Sequence, residues 1–274
     1  MIQGNRFSER AGRYLVASLR ATALLLILLP LVLVFWLSII SNEILSLPVQ
    51  GYSLRWFAVA AGQPQFFDGF LLSVAVATFA TCAGLLVSVP AAIILVRRAF
   101  RGRGAVVQLL MSPLTVPAIV IGASLYITMV EIEIATGIPL TGSVVVFVMG
   151  HVLLTIPWCI RLLLASMENL DMAVEEAAAS LGDHPAGVIW RITLPLIRPG
   201  IFAAAVFSFV VSFGNIEVSL FLSTPGEVTL PVAVMQYLQW KIDPTIAAVS
   251  VMQVLFVATA LLISNRFVNL ARIV

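Results

Sequence analysis

Apolar residues gather in long runs, at about 21 to 41, 69 to 96, 105 to 130, 142 to 164, 200 to 222 and 245 to 265, with short polar intervals between them. A helix rising about 1.5 Å per residue crosses a bilayer core in about 20 mostly apolar residues, so each run is long enough to span. The pattern predicts an all-α membrane protein with six transmembrane helices. Prolines 30, 90, 113, 117 and 157 fall inside the runs. A membrane bundle tolerates them where neighbours satisfy the freed carbonyls, so kinked, packed helices are expected. The second run carries Ala75, Ala77, Ala80, Ala83 and Gly84, which let helix backbones approach closely in lipid.

Composition agrees with this picture. Of 274 residues, 61% are hydrophobic and 10% are charged, where a soluble domain carries about 25% charged. A net charge of +2 gives no basis for a nucleic-acid surface. Cys82 and Cys159 both lie in apolar runs and read as small packing residues, with no disulfide framework or metal-ligand spacing.

The distribution of basic residues orients the helices. Arg6, Arg10, Arg13 and Arg20 precede the first run; Arg97, Arg98, Arg101 and Arg103 follow the second; Arg161, Arg191 and Arg198 lie around the fourth-to-fifth connection; Arg266 and Arg272 follow the sixth. The alternate loops hold only Arg55 and Lys241, a split of 13 against 2. Under the positive-inside rule both termini are cytoplasmic, and the alternation itself requires an even number of spans. The expected organisation is a cytoplasmic segment 1–20, a six-helix domain 21–265 with a cytoplasmic loop 165–199, and a tail 266–274. The first run exceeds the roughly 7 to 15 residues of a signal core and no small-x-small cleavage pattern follows it, so it is expected to remain as an anchor.

Loop 165–199 differs from the others. Asp171 is placed to cap a helix with Glu175 and Glu176 in its first turns, and Gly182 to end it. A second short helix is expected from Pro185 to about Ile192, with Pro195 and Pro199 stopping it before the fifth span. Val188, Ile189 and Ile192 give that helix an apolar stripe, which on a cytoplasmic loop calls for a partner groove. The chain has no Gly-x-x-x-x-Gly-Lys-Ser/Thr phosphate loop, and Lys241 is its only lysine, so any work driven by ATP must draw on hydrolysis in another subunit.

The order Glu176-Ala177-Ala178, Gly182, then Ile192, Leu194 and Pro195 resembles the EAA loop of binding-protein-dependent ABC importer permeases of type I. The resemblance implies a permease subunit of the bacterial inner membrane, forming half of a translocation pathway for a small solute delivered by a binding protein. It implies that these seven residues couple the chain to a separate ATPase dimer, that ATP and Mg belong to that partner, and that this chain has no cofactor and no catalytic site of its own. Two docking loops are needed, so the chain pairs with a second copy of itself or, as is usual in the spermidine/putrescine-type group, with a different permease chain. The segment Ser53-Leu-Arg-Trp-Phe57 and the stretch Ser212 to Leu222 are similar to elements of spermidine/putrescine-type permeases. They imply a polyamine or similar small amine as substrate; permeases for phosphonate, iron and other solutes share the scaffold.

Candidate pathway residues lie on the fifth run. Ser208, Ser212, Asn215 and Ser219 recur at intervals of 4, 3 and 4 and share a helix face. That face either lines a pathway or bonds neighbouring helices. Glu217 is the one carboxylate within a run, near its outer end, and reads as an attractor for a cationic substrate or a partner across the permease interface. It lies opposite the serines unless Gly214 breaks the helix. His151 shares a face with Thr155 and, lacking a second ligand, reads as a hydrogen-bonded packing residue before a metal or proton site. Glu131 and Glu133 are expected to begin a solvated loop. Pro225-Gly226 predicts a turn, followed by a short interfacial helix bearing Pro231, Tyr237 and Trp240. An intramembrane enzyme would need clustered nucleophiles or metal ligands, and a channel or ion-coupled carrier intramembrane charges or inverted repeats; neither pattern is evident.

Overall fold

The computed structural model describes residues 3–267 except Leu45 and Asn169, so the arginine at 272 and most of the 266–274 tail lie outside the described residues. The described chain is helical throughout: α1 (Gln3–Leu37), α2 (Arg55–Ala61), α3 (Pro64–Arg97), α4 (Arg103–Met111), α5 (Ala118–Thr136), α6 (Val144–Glu168), α7 (Met172–Ser180), α8 (Pro185–Val188), α9 (Leu194–Phe213), α10 (Glu217–Leu222), α11 (Leu230–Trp240) and α12 (Thr245–Phe267). Among the described residues, six stretches are long and apolar enough to cross a membrane: Leu15–Leu37, Pro64–Arg97, Ala118–Thr136, Val144–Glu168, Pro185–Phe213 and Thr245–Ile263.

The chain divides into two compact units, one of residues 1–63 with 237–255 and one of 64–236 with 256–274. In the first, the chain leaving α1 folds into a small knot. Ile40 and Tyr52 pair across an antiparallel bridge, and the Trp56 indole donates to the Ile40 carbonyl at 2.7 Å. The Asn42 amide donates to the Ser46 carbonyl while its oxygen accepts from Gln50 N–H. One side chain thereby ties both ends of the loop from Asn42 to Gln50 together.

The core of the second unit is α3, α6 and α9, packed on one another. Toward one end, Leu72, Val76, Phe147, Val218 and Leu222 form a buried cluster with Met129 of α5. Toward the other, Ile93, Cys159, Leu163, Met167, Ile197 and Ala204 form a second. Ala77 and Ala80 are fully buried. At Gly84 an added Cβ would lie 2.6 Å from the Thr155 hydroxyl, so only glycine allows α3 and α6 this spacing. Phe70, Phe209, Phe213 and Phe256 form an aromatic cluster that ties the second half of α12 into this unit.

The prolines act in two ways. Pro30, Pro90 and Pro157 sit within unbroken helices. Pro113 and Pro117 divide the third apolar run, expected as one helix from about 105. α4 stops at Met111, a short 3-10 turn covers Ser112–Leu114, and Pro117, with φ −55 and ψ 131, restarts the chain as α5. Two missing N–H groups four residues apart leave too few helical hydrogen bonds to carry the run through. The span consequently shifts toward its C-terminal end and takes in Glu131 and Glu133, which were expected in a loop. Glu133 instead accepts hydrogen bonds from the Leu140 and Thr141 N–H groups and the Thr141 hydroxyl, closing the α5–α6 turn.

Candidate functional site

The connection between α6 and α9 is built from local signals. The Asp171 carboxylate accepts from the Ala173 N–H at 2.9 Å, capping α7. At the other end Gly182 takes φ +90, its N–H donates to the Ala179 carbonyl, and the Asp183 N–H donates to that of Ala178. This paired closure uses up the last carbonyls of α7 and requires the left-handed conformation that glycine adopts without strain. His184 then caps α8, its Nδ1 accepting from Ala186 N–H, with Pro185 at the first helical position.

Beyond α8 the structure departs from the two-helix expectation. Pro195 and Pro199 do not stop the helix: Ile189–Thr193 widens into a π turn and runs into α9, which contains Pro199. A proline ring at 195 presses on the carbonyl four residues earlier and supplies no N–H, and a wider turn accommodates both defects. The stripe expected to seek a partner groove also turns inward. Val188 is buried and Ile189 and Ile192 are half-buried, with Ile189 packed on the cluster that includes Ile93 and Leu163. What faces outward is Leu181, 90% exposed at the tip of the elbow, and Trp190, 73% exposed. Of the sequence-derived coupling residues, Glu176, Ala177 and Gly182 are exposed, whereas Ala178, Ile192, Leu194 and Pro195 are half-buried and shape the loop from beneath.

Three residues that were not singled out for coupling anchor this loop. The Arg97 guanidinium, at the C-terminus of α3, donates to Glu175 Oε1 at 2.8 Å. The Thr193 hydroxyl donates to the same oxygen at 2.9 Å. Arg97 and Glu175 lie 78 residues apart, and no periodicity in the sequence pairs them. The exposed Arg191 and the half-buried Asp183 approach only to 3.7 Å.

The serine face of the fifth span lies against α6. Ser208, Ser212 and Ser219 are buried. Ser208 meets the Cys159 thiol at 3.0 Å, and His151 lies between the other two, with Nδ1 2.8 Å from Ser212 Oγ and Nε2 3.1 Å from Ser219 Oγ. Ser219 gives its hydrogen to the Asn215 carbonyl. Its oxygen can therefore accept from an Nε2–H, while the donor in each of the two contacts follows the ring's tautomer. These hydroxyls bond within the helix interface. The helix does break at Gly214; Asn215 accepts from Val218 N–H to start α10, and Glu217 is exposed on its first turn.

In the first unit, Arg55 stacks 4.4 Å over the Trp56 ring and donates to the Ser41 carbonyl. Near the start of α12, Tyr237 is buried: its hydroxyl donates to the buried Asp243 at 3.0 Å, and Lys241 pairs with the same carboxylate at 2.9 Å. Trp240 is the exposed aromatic. Burial alone would raise the Asp243 pKa, but hydrogen bonds from Lys241, Thr245 and Tyr237 outweigh it and hold the carboxyl below its usual range. The hydrogen bond to Asp243 raises that of Lys241.

Among the described residues, six helices long and apolar enough to cross a membrane and a capped α7–α8 connection define a polytopic membrane protein. The chain belongs to the family of binding-protein-dependent transport system inner membrane components, whose pattern matches residues 84–271. It is accordingly a multi-pass inner-membrane protein and an ABC importer permease. It is 29% identical over 201 residues to the putrescine transport system permease protein PotI of Escherichia coli (strain K12), covering 73% of this chain and 72% of that one. It is 30% identical over 207 residues to the molybdenum transport system permease protein ModB of Mycobacterium tuberculosis (strain ATCC 25618 / H37Rv), covering 73% and 78%. Its fold matches a chain of the bacterial alginate ABC transporter in complex with alginate pentasaccharide-bound periplasmic protein. The TM-score is 0.74, with 17% identity and 95% of each chain covered.

Proposed function

We propose that this chain forms half of a translocation pathway and carries no ATPase site, its loop from Met172 to Thr193 docking on a separate ATPase subunit that holds ATP and Mg. The observation that carries the reading is the elbow at Leu181 and Gly182. A capped helix, a glycine closure and a second capped helix hold one large apolar side chain clear of the protein, and a second, Trp190, stands exposed nearby. Large apolar residues at an exposed tip are anchors for a protein partner. The arginine distribution supports placing this loop, both termini, the 1–20 segment and the 266–274 tail in the cytoplasm. One loop per chain calls for a second permease chain, and the family description for a substrate-binding protein on the opposite side.

For the substrate, the reading is a polyamine or similar small amine, supported by the likeness to PotI and by the exposed Glu217. A second reading, a molybdenum-type oxyanion, is favoured by the likeness to ModB. Purification of the chain with its co-expressed partners tests both. The importer reading expects a nucleotide-hydrolysing subunit to copurify and its activity to rise with a loaded receptor. Stimulation by putrescine and not molybdate selects the amine, and the reverse selects the oxyanion. An active, isolated monomer overturns the importer reading.

A further inference from the structure

We propose that Glu175 is a positioning residue that makes the coupling loop and the ends of two transmembrane helices move as one body; this rests on the importer reading above. α7 contributes no buried residue of its own. Beneath it lies a cleft of about 490 Å³, whose lining includes Ile93, Arg97, Glu175, Val188 and Thr193. A nine-residue helix over a cleft has little apolar contact to hold it, so its position depends on polar anchors. Glu175 Oε1 supplies them, accepting from Arg97 of α3 and Thr193 of the π turn that leads into α9.

The pair is suited to this task. Arg97 and Glu175 are only 12% and 14% exposed, so water and salt screen them little. Thr193 is buried, and its hydroxyl fixes which way the carboxylate points. Arg97 also stands at the negative end of the 34-residue α3, where a cation is favoured. Breaking one partner leaves a shielded charge uncompensated, so the arrangement has a steep penalty for slipping and none for moving as a unit. A push on α7 is therefore delivered to the second and fifth spans together. The neighbouring Arg191–Asp183 pair, at 3.7 Å and with its arginine exposed, is too weak to substitute for it.

The test uses the full complex with its ATPase, in a Cys82→Ala background, with nitroxide labels at Leu86→Cys on α3 and Ala173→Cys on α7. Both label sites are exposed, and Cys159 is buried. The parent complex is expected to give one narrow label–label distance that is unchanged by ATP with vanadate. Glu175→Gln is expected to keep the ATPase bound but to broaden that distance and make it nucleotide-dependent. Arg97→Gln is expected to broaden the distance in the same way, and Arg97→Gln with Glu175→Gln no further than either alone, which independent losses of packing would not give. A Glu175→Gln complex as narrow and invariant as the parent, or a double variant broader than both single variants, overturns the proposal. A parent complex that never retains an ATPase overturns the importer reading itself.

Discussion

His151 of α6 and Ser212 of α9 meet at 2.8 Å in the buried interface of the fourth and fifth spans, and the other ring nitrogen meets Ser219 beyond the break at Gly214. The imidazole thus joins both halves of an interrupted helix to its neighbour. Removing it orphans the buried Ser212 hydroxyl, which costs about 1–3 kcal/mol where water cannot reach, while Ser219 keeps its bond to the Asn215 carbonyl. His151→Leu is expected to lower the unfolding temperature in detergent clearly. Adding Ser212→Ala to it is expected to cost little more, because the two groups satisfy each other. Fully additive losses would show that the pair is not coupled.

The contact at Gly84 makes a sharper packing prediction. A methyl there meets the Thr155 hydroxyl, which itself donates to the Val152 carbonyl at 3.1 Å within α6. Gly84→Ala is expected to destabilise the folded protein by about 1–3 kcal/mol, the usual cost of overpacking. Gly84→Ala with Thr155→Ala is expected to recover part of that loss, since the obstructing atom is gone. Thermal unfolding of the two single variants and the double variant measures the coupling.

Asp243 and Lys241 set a pH window for the turn before α12. Asp243 has a folded pKa below the ordinary 3.8, so its contribution is full above that value and is lost as pH falls through the lower folded value. Lys241 has a folded pKa above 10.5, so its contribution is full below that value and is lost as pH rises through the higher folded value. Resistance of this turn to limited proteolysis is therefore expected to stay level between those limits and to fall outside them. Asp243→Asn is expected to lose the protection at every pH.

Much of the fold is legible in the chain because a bilayer leaves few solutions: about 20 apolar residues in a row must cross it as a helix. The elbow is legible for a similar reason, since Asp171, Gly182 and Pro185 act within a turn of where they stand. The errors lie where neighbours decide. Hydropathy alone gave no means of separating Pro113 and Pro117, which break a helix, from Pro90 and Pro157, which do not. A stripe such as Val188, Ile189 and Ile192 shows that a helix has an apolar face but not whether its own chain already covers it. The serine spacing marked a face without saying that α6 lies against it, and the Arg97–Glu175 pair is a tertiary contact with no local signature.

The central claim, that this chain is a permease subunit driven through its α7–α8 elbow, is tested most directly by crosslinking from its tip. With a photo-reactive residue at Leu181, 90% exposed, the assembled complex is expected to yield one main adduct with the nucleotide-hydrolysing subunit. The same probe at Leu86, 78% exposed on α3, is expected to yield none. Transport activity with no ATPase adduct from Leu181, or an adduct equally strong from Leu86, would contradict the account.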